Sequence, residues 1–181
     1  VADGDIDNPN TWSSASGGTP GAAIANDGTV DLVVEGGFKV SINTQFLVKD
    51  VTVGASGVGE LEWTSGVDLR INNGGTVTVN SGSEIDQNGV NNASLHFAAG
   101  GFTYHVVIND VSPGLECDDF EILSDATVNV SGAGELDVDD DIVFHGDNAS
   151  FNSTLTGTFD INDDVDFNAG DDNNTFTSKS T

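Results

Sequence analysis

The sequence predicts an all-β, single-domain β-solenoid: a right-handed parallel β-helix of about six coils, each of about 23–24 residues. Three observations predict it. Apolar residues recur every eight positions, a longer segment repeats at a shift of 23, and no stripe with the 3.6-residue helical period exists.

The eight-residue rhythm runs through Val53, Leu61, Leu69, Val77 and Ile85, with glycine-bearing turns between most of them. It returns as Phe120, Val128, Leu136 and Phe144, then after a one-residue slip as Phe151, Phe159 and Phe167. A strand of about four residues followed by a turn of similar length gives this period. The segment Gly134–Phe144 matches Gly157–Phe167, pairing Leu136 with Phe159, Val138 with Ile161, Ile142 with Val165 and Phe144 with Phe167. A third copy, Leu115–Ile122, fits with one deletion, and Val51–Leu61 echoes Val128–Leu136. Three eight-residue units nearly equal the shift, so each coil has three short strands and three turns, with equivalent residues stacked above one another. Short strands with regular turns also fit an antiparallel β-sandwich, the alternative architecture; the 23-residue copy favours the solenoid.

Three segments follow: an irregular N-terminal cap over 1–29, the solenoid over 30–176, and a tail over 177–181 available for contact between subunits. Turn-rich stretches around Asn8-Pro9-Asn10 and Gly17-Gly18-Thr19-Pro20-Gly21 mark the cap, and Trp12 is placed as a plug over the coil end. From Asn88 to Pro113 the rhythm breaks, which predicts an excursion or a wider coil. The strand-like end around Asn174–Thr181 has no evident cap.

Charge narrows function. Thirty acidic residues face four basic ones, for a net charge of −26. Such a surface has few cations to displace phosphate counterions, which argues against nucleic-acid partners. No apolar stretch is long enough for a membrane-spanning helix, which argues against membrane insertion. Self-repulsion on this scale suits a saline or calcium-containing medium. The absence of Met and the start at Val1 are read as a product trimmed after export. Asn-x-Ser/Thr sequons occur at Asn92, Asn129, Asn148, Asn152 and Asn173.

The candidate site is a set of turn aspartates. Stacking places Asp118 and Asp119 beneath Asp139, Asp140 and Asp141, and those beneath Asp163 and Asp164, one coil apart at roughly 4.8 Å. Hard carboxylate oxygens at such spacing suit Ca²⁺. The competing reading is a solvated acidic edge. Cys117 is read as a buried apolar residue, Trp63 as core or cap, and His145 as a turn residue rather than a ligand. His96, His105 and His145 are widely spaced, with no Ser or Cys nucleophile in a recognisable setting, so no catalytic set is assigned. Thr-x-Thr pairs at Thr76, Thr154 and Thr175 read as an interrupted row, against a regular ice-binding face.

Two stretches carry a family resemblance: Trp12-Ser13 near Pro20-Gly21 followed by Asp27-Gly-Thr-Val-Asp-Leu-Val-Val34, and Gly74-Gly-Thr-Val-Thr-Val-Asn-Ser-Gly-Ser83. They resemble secreted bacterial β-helix repeat proteins of the autotransporter-passenger and filamentous-adhesin type, over about residues 11–90. The resemblance implies a surface-exposed or released β-helix and carries over no functional residue. The functional expectation is a non-enzymatic extracellular or cell-surface structural protein that self-associates head to tail into a homopolymer. The alternative is a monomeric Ca²⁺- or carbohydrate-binding module of a larger surface protein, with surface glycans as partner.

Overall fold

A computed structural model describes residues 3–13, 19, 21–110, 114–168 and 172–179. Gly17, Gly18 and Pro20 of the predicted cap, Pro113, and Ser180 and Thr181 of the tail lie outside the described residues. A short strand, β1 (Gly4–Asp5), and a 3-10 turn at Pro9–Thr11 precede the coils. The first coil holds β2 (Leu32–Val34), β3 (Lys39–Ile42) and β4 (Phe46–Val48); the second holds β5 (Val51–Val53), β6 (Glu60–Trp63) and β7 (Asp68–Ile71). The third has β8 (Thr76–Val79), β9 (Glu84–Asp86) and β10 (Ser94–Phe97); the fourth has β11 (Thr103–Ile108), β12 (Leu115–Cys117) and β13 (Phe120–Leu123). The fifth comprises β14 (Thr127–Gly132), β15 (Leu136–Val138) and β16 (Ile142–His145). The sixth comprises β17 (Ser150–Ser153), β18 (Phe159–Ile161) and β19 (Val165–Phe167), and β20 (Thr175–Ser178) opens a further rung.

Every strand pairs in parallel with its counterpart one coil away, which builds three sheets. Sheet A runs β1-β3-β6-β9-β12-β15-β18, sheet B runs β2-β5-β8-β11-β14-β17-β20, and sheet C runs β4-β7-β10-β13-β16-β19. The β-solenoid is therefore the observed fold, and the antiparallel sandwich is not. The eight-residue rhythm is the step from one sheet to the next: Val53 lies in sheet B, Leu61 in A, Leu69 in C, Val77 in B and Ile85 in A, all fully buried. The 23-residue copy is one full coil, with Leu136 against Phe159, Val138 against Ile161, Ile142 against Val165 and Phe144 against Phe167. The interrupted rhythm near Asn88 resolves as a wider coil, since β10 and β11 keep their places in sheets C and B.

Alternation of side chains across each strand sends one set inward and one outward. The inward set forms one continuous core from Ile6 to Leu155. It includes Cys117 and Trp63, whose indole N–H donates to the Val67 carbonyl at 2.9 Å. Toward the C-terminus the core becomes aromatic: Phe151 packs edge-on against Phe120 and face to face with Phe159 and Phe176.

The N-terminal end is covered along sheets A and C. Trp12 is buried and donates its indole proton to the Ile6 carbonyl at 2.7 Å, as a plug should. The predicted irregular cap also contains β1, which extends sheet A over β3. Residues 26–30 run along β4: Leu47 N donates to Asn26 Oδ1 at 2.6 Å, Gly28 N to the Leu47 carbonyl at 3.2 Å, and Lys49 N to the Val30 carbonyl at 2.8 Å. Lys49 follows β4 in the turn toward β5. At the other end the expected tail is already sheet, because β20 continues sheet B through Ser178 and Lys179 N donates to the Ser153 carbonyl.

One corner shows what left-handed turn positions demand. Gly101, Asp125, Asn148 and Asn173 occupy equivalent turn positions between sheets C and B, all with left-handed φ (71°, 61°, 57° and 64°). Only Gly, Asn and Asp adopt that region at low cost. The side chains also bond along the stack, Asn148 Nδ2 donating to Asp125 Oδ1 at 3.1 Å and Asn173 Nδ2 to Asn148 Oδ1 at 3.4 Å. Replacing Asn148 with Ala should cost about 1–2 kcal/mol in a thermal or chemical melt. Replacing it with Gly should cost less, because the left-handed conformation is then unstrained.

Candidate functional site

The solenoid presents three outer faces and three corners, and the acidic residues distribute over them unevenly. The predicted aspartates sit where stacking placed them, at the corner between sheets A and C: Asp140 N donates to the Asp118 carbonyl at 2.9 Å, and Asp163 N to the Asp140 carbonyl at 3.2 Å. Most of their side chains hold that corner together. Asp118 accepts from Asn92 N, Asp119 from the Ser94 hydroxyl, Asp139 from the Gln87 and Asn162 amides, and Asp141 from Asp164 N. Of the seven, Asp140, Asp141 and Asp163 bring carboxylate oxygens within 4.8 Å of one another. Asp164 contributes its backbone amide to this corner.

A second acidic array lies on the outer face of sheet A. The register aligns Ser41, Glu62, Asp86, Glu116, Asp137 and Asp160 in one outward column. Neighbouring rungs lie about 4.8 Å apart, so carboxylate stands above carboxylate. Lys39 relieves the N-terminal part, pairing with Glu60 and, at 2.6 Å, with Glu62. Glu60, Glu62 and Asp86 form a second group with oxygens within 4.8 Å. Farther along the column no such cation stands among the described residues. Burial, then the charges of Asp86 and Asp139, push Glu116 up to about 7. At the adjacent corner, burial and Asp118 push Asp119 up to about 6. Burial and Asp139 also raise Asp137.

This column follows directly from the apolar repeat. Each member after Ser41 is the residue immediately after an inward one: Leu61, Ile85, Leu115, Leu136 and Phe159. Attention to runs of adjacent aspartates passed over it, because its members are far apart in the chain.

Sheet C carries the mixed charges. Arg70 pairs with Asp68 at 2.6 Å. His96 is buried with Nδ1 3.6 Å from Glu121 and 3.8 Å from Asp68, and burial holds its pKa below the ordinary histidine value. His145 ends β16 and so is a strand residue, not the expected turn residue. Its Nε2 lies 2.9 Å from Glu121, and its Nδ1 lies 2.9 Å from Asn168 Nδ2. His105 lies apart, exposed on sheet B. The Cys117 thiol is fully buried, which pushes its pKa well up.

Sheet B differs from the other two faces. From β8 onward its outward positions are Thr, Ser, Asn, Val and His: Thr76, His105, Asn129, Asn152 and Thr177 form one row, beside Thr78, Val107, Ser131 and Thr154. The three Thr-x-Thr pairs are out of register with one another: Thr76 shares its column with Thr177, Thr154 lies in the column of Thr78, and Thr175 pairs with Ser150. None of these residues is a carboxylate. Asn129 and Asn152, two of the sequon residues, are adjacent rungs bonded at 3.3 Å. A shallow cavity of about 200 Å³ lies elsewhere, between Asp3, Phe38, Lys39, Val58 and Glu60. It is below the roughly 300–1,000 Å³ of small-molecule sites.

The C-terminal end differs from the N-terminal one, where two sheets are covered. Among the described residues, strands β18, β19 and β20 each pair on one side only. Phe167, inward by register, is 45% exposed, while Phe159, Val165 and Phe176 are half-buried. Phe167 stacks on Phe144 at 4.8 Å, and nothing among the described residues covers its other side. No helix is long and apolar enough to cross a membrane among the described residues. Comparison with protein-family profiles, curated proteins and solved structures finds no match to this chain.

The acidic column sets a pH dependence. A carboxyl raised in the folded state binds its proton more tightly there than in the unfolded chain, so stability falls as pH rises from the unfolded value toward the folded one. For Glu116 that window is from about pH 4.5 to about pH 7. In metal-free buffer the melting temperature should fall across this window, and Glu116→Gln should flatten the decline.

Proposed function

We propose that this chain is a non-catalytic structural protein of the extracellular or cell-surface space, which assembles through its open C-terminal coil. The observation that carries the reading is the asymmetry of the two ends. At the N-terminal end β1 covers sheet A, residues 26–30 run along sheet C, and Trp12 is buried. The C-terminal end offers three unpaired parallel edges around Phe159, Val165, Phe167 and Phe176. Exposed edges of this kind pair with another chain unless blocked. The proposed occupant is a second copy, whose β2 edge in sheet B is unpaired among the described residues. Head-to-tail contact of that type does not close on itself and so grows a fibre. Strong negative charge on both partners opposes it, so assembly should require salt or divalent cations.

Electron microscopy and sedimentation of the protein in saline with Ca²⁺ test this. Long uniform fibres that Phe167→Asp disperses are expected. Monodisperse particles of 18.6 kDa in every condition would sink the assembly reading.

A second reading, a carbohydrate-binding module, is favoured by the charge-free face of sheet B. Its hydroxyls and amides repeat at rung spacing and offer donors and acceptors to a neutral hydroxylated polymer without electrostatic conflict. Wild-type protein should then be depleted from solution by an insoluble neutral polysaccharide, and Asn129→Asp with Thr78→Asp should abolish the depletion. Equal depletion of wild type and variant would remove this face from consideration.

A further inference from the structure

We propose that Phe102, at the corner between sheets C and B, is a stacking platform for a neutral, hydroxyl-rich glycan laid along sheet B. The proposal rests on the carbohydrate-binding reading of that face and names the aromatic residue that would anchor the sugar.

Backbone stacking puts Phe102 in a column of alanines. Thr127 N donates to the Phe102 carbonyl at 2.9 Å, and Ser150 N to the Ala126 carbonyl at 2.8 Å. Phe102, Ala126 and Ala149 thus each stand one residue before the register partners Thr103, Thr127 and Ser150. Both alanines are fully buried, whereas Phe102 is 39% exposed. The stack is satisfied by a methyl group at this corner, yet the fourth coil carries a benzyl group. That is a departure from the repeat's own rule which core packing does not explain.

Glycines make room for the ring. A Cβ at Gly100 would lie 2.9 Å from Phe102 Cε2, and one at Gly74, on the preceding coil, 3.7 Å from Cδ1. Tyr104 meets the ring edge-on, with centroids 6.4 Å apart. Tyr104 is itself fixed, because its hydroxyl donates to the Ala98 carbonyl at 2.8 Å. A ring supported in this way loses little freedom when a ligand settles on it. Thr103 and His105, the next outward residues of β11, are exposed as well.

The surroundings select the ligand. An aromatic face carries partial negative charge and attracts the polarised C–H groups on the flat side of a sugar ring. Beside it, Thr103, Thr127, Ser150 and Thr175 form a hydroxyl row at rung spacing, with Asn129 and Asn152 in the next row. Hydroxyls and amides both donate and accept, as sugar hydroxyls do. An apolar peptide would leave these groups unpaired, and an acidic glycan would be repelled by the net charge of −26. A neutral glycan satisfies the ring and the rows together.

The test is depletion of the protein from solution by insoluble cellulose, chitin and β-1,3-glucan, at about 0.15 M NaCl. Wild type should be depleted by at least one of them. Phe102→Ala should weaken the apparent affinity about tenfold, and Phe102→Tyr, which keeps the ring face, should retain it. Phe102→Leu keeps apolar bulk over Gly74 and Gly100 without a ring, so it should lose binding while its melting curve stays cooperative. Depletion that the Asn129→Asp, Thr78→Asp double variant loses but Phe102→Ala and Phe102→Leu keep would overturn this proposal and leave the carbohydrate-binding reading standing. No depletion of wild type by any of the three glycans would overturn both. Sedimentation without glycan tests the other occupant: if Phe102→Ala disperses an assembly that wild type forms, a second copy covers the ring and the proposal falls.

Discussion

Everything in this molecule follows from parallel in-register stacking. Once a residue of one coil is hydrogen-bonded above its counterpart, every side chain acquires a neighbour of the same orientation at about 4.8 Å. Inside, that constraint is favourable: Val stands over Val, and Phe151 meets Phe120, Phe159 and Phe176 without a gap. At the C–B corner it is also favourable, because Asp125, Asn148 and Asn173 share one backbone conformation and bond to each other. On the outer face of sheet A the same constraint sets carboxylate over carboxylate, and the fold tolerates this only through burial-shifted protons, Lys39 or an outside cation.

The corner aspartates show how one residue type serves two ends. At Asp118, Asp119 and Asp141 the carboxylate takes a hydrogen bond from a neighbouring coil, so charge is converted into cohesion between rungs. In the column Asp86, Glu116, Asp137 and Asp160 the pleat directs the side chains outward; Asp86 still takes a main-chain hydrogen bond, from Asn88 N at 2.6 Å. Negative charge is thus structural at the corner and a liability on the face. That difference, more than the total of −26, distinguishes the two acidic surfaces.

The sequence made the inward half of this structure legible because each rung repeats the same demand. Leu61, Leu69, Val77 and Ile85 had to be apolar at a fixed interval, and Gly134–Phe144 had to resemble Gly157–Phe167 to stack on it. The outward half was harder to read. Asp118 and Asp119 attracted attention as adjacent acids, yet only coordinates reveal that Asn92 N and the Ser94 hydroxyl claim their oxygens. Gln87 carried no signal, since its burial depends on reaching across two coils to Asp139. The N-terminal strand β1 escaped for a related reason: two residues, Gly4 and Asp5, are too few to show an alternation.

The covered sheets A and C at the beginning and the open end also give the molecule a mechanical polarity. Tension applied to the C-terminus acts first on β20, whose hydrogen bonds lie on one side only. Rungs would then peel in sequence toward the plugged end, each releasing about 80 Å of chain at roughly 3.5 Å per residue. Because each coil contacts only its neighbours, such peeling stops wherever the load falls and reverses when it is removed. Loaded in that direction, the chain would yield length one rung at a time while the N-terminal coils stay folded.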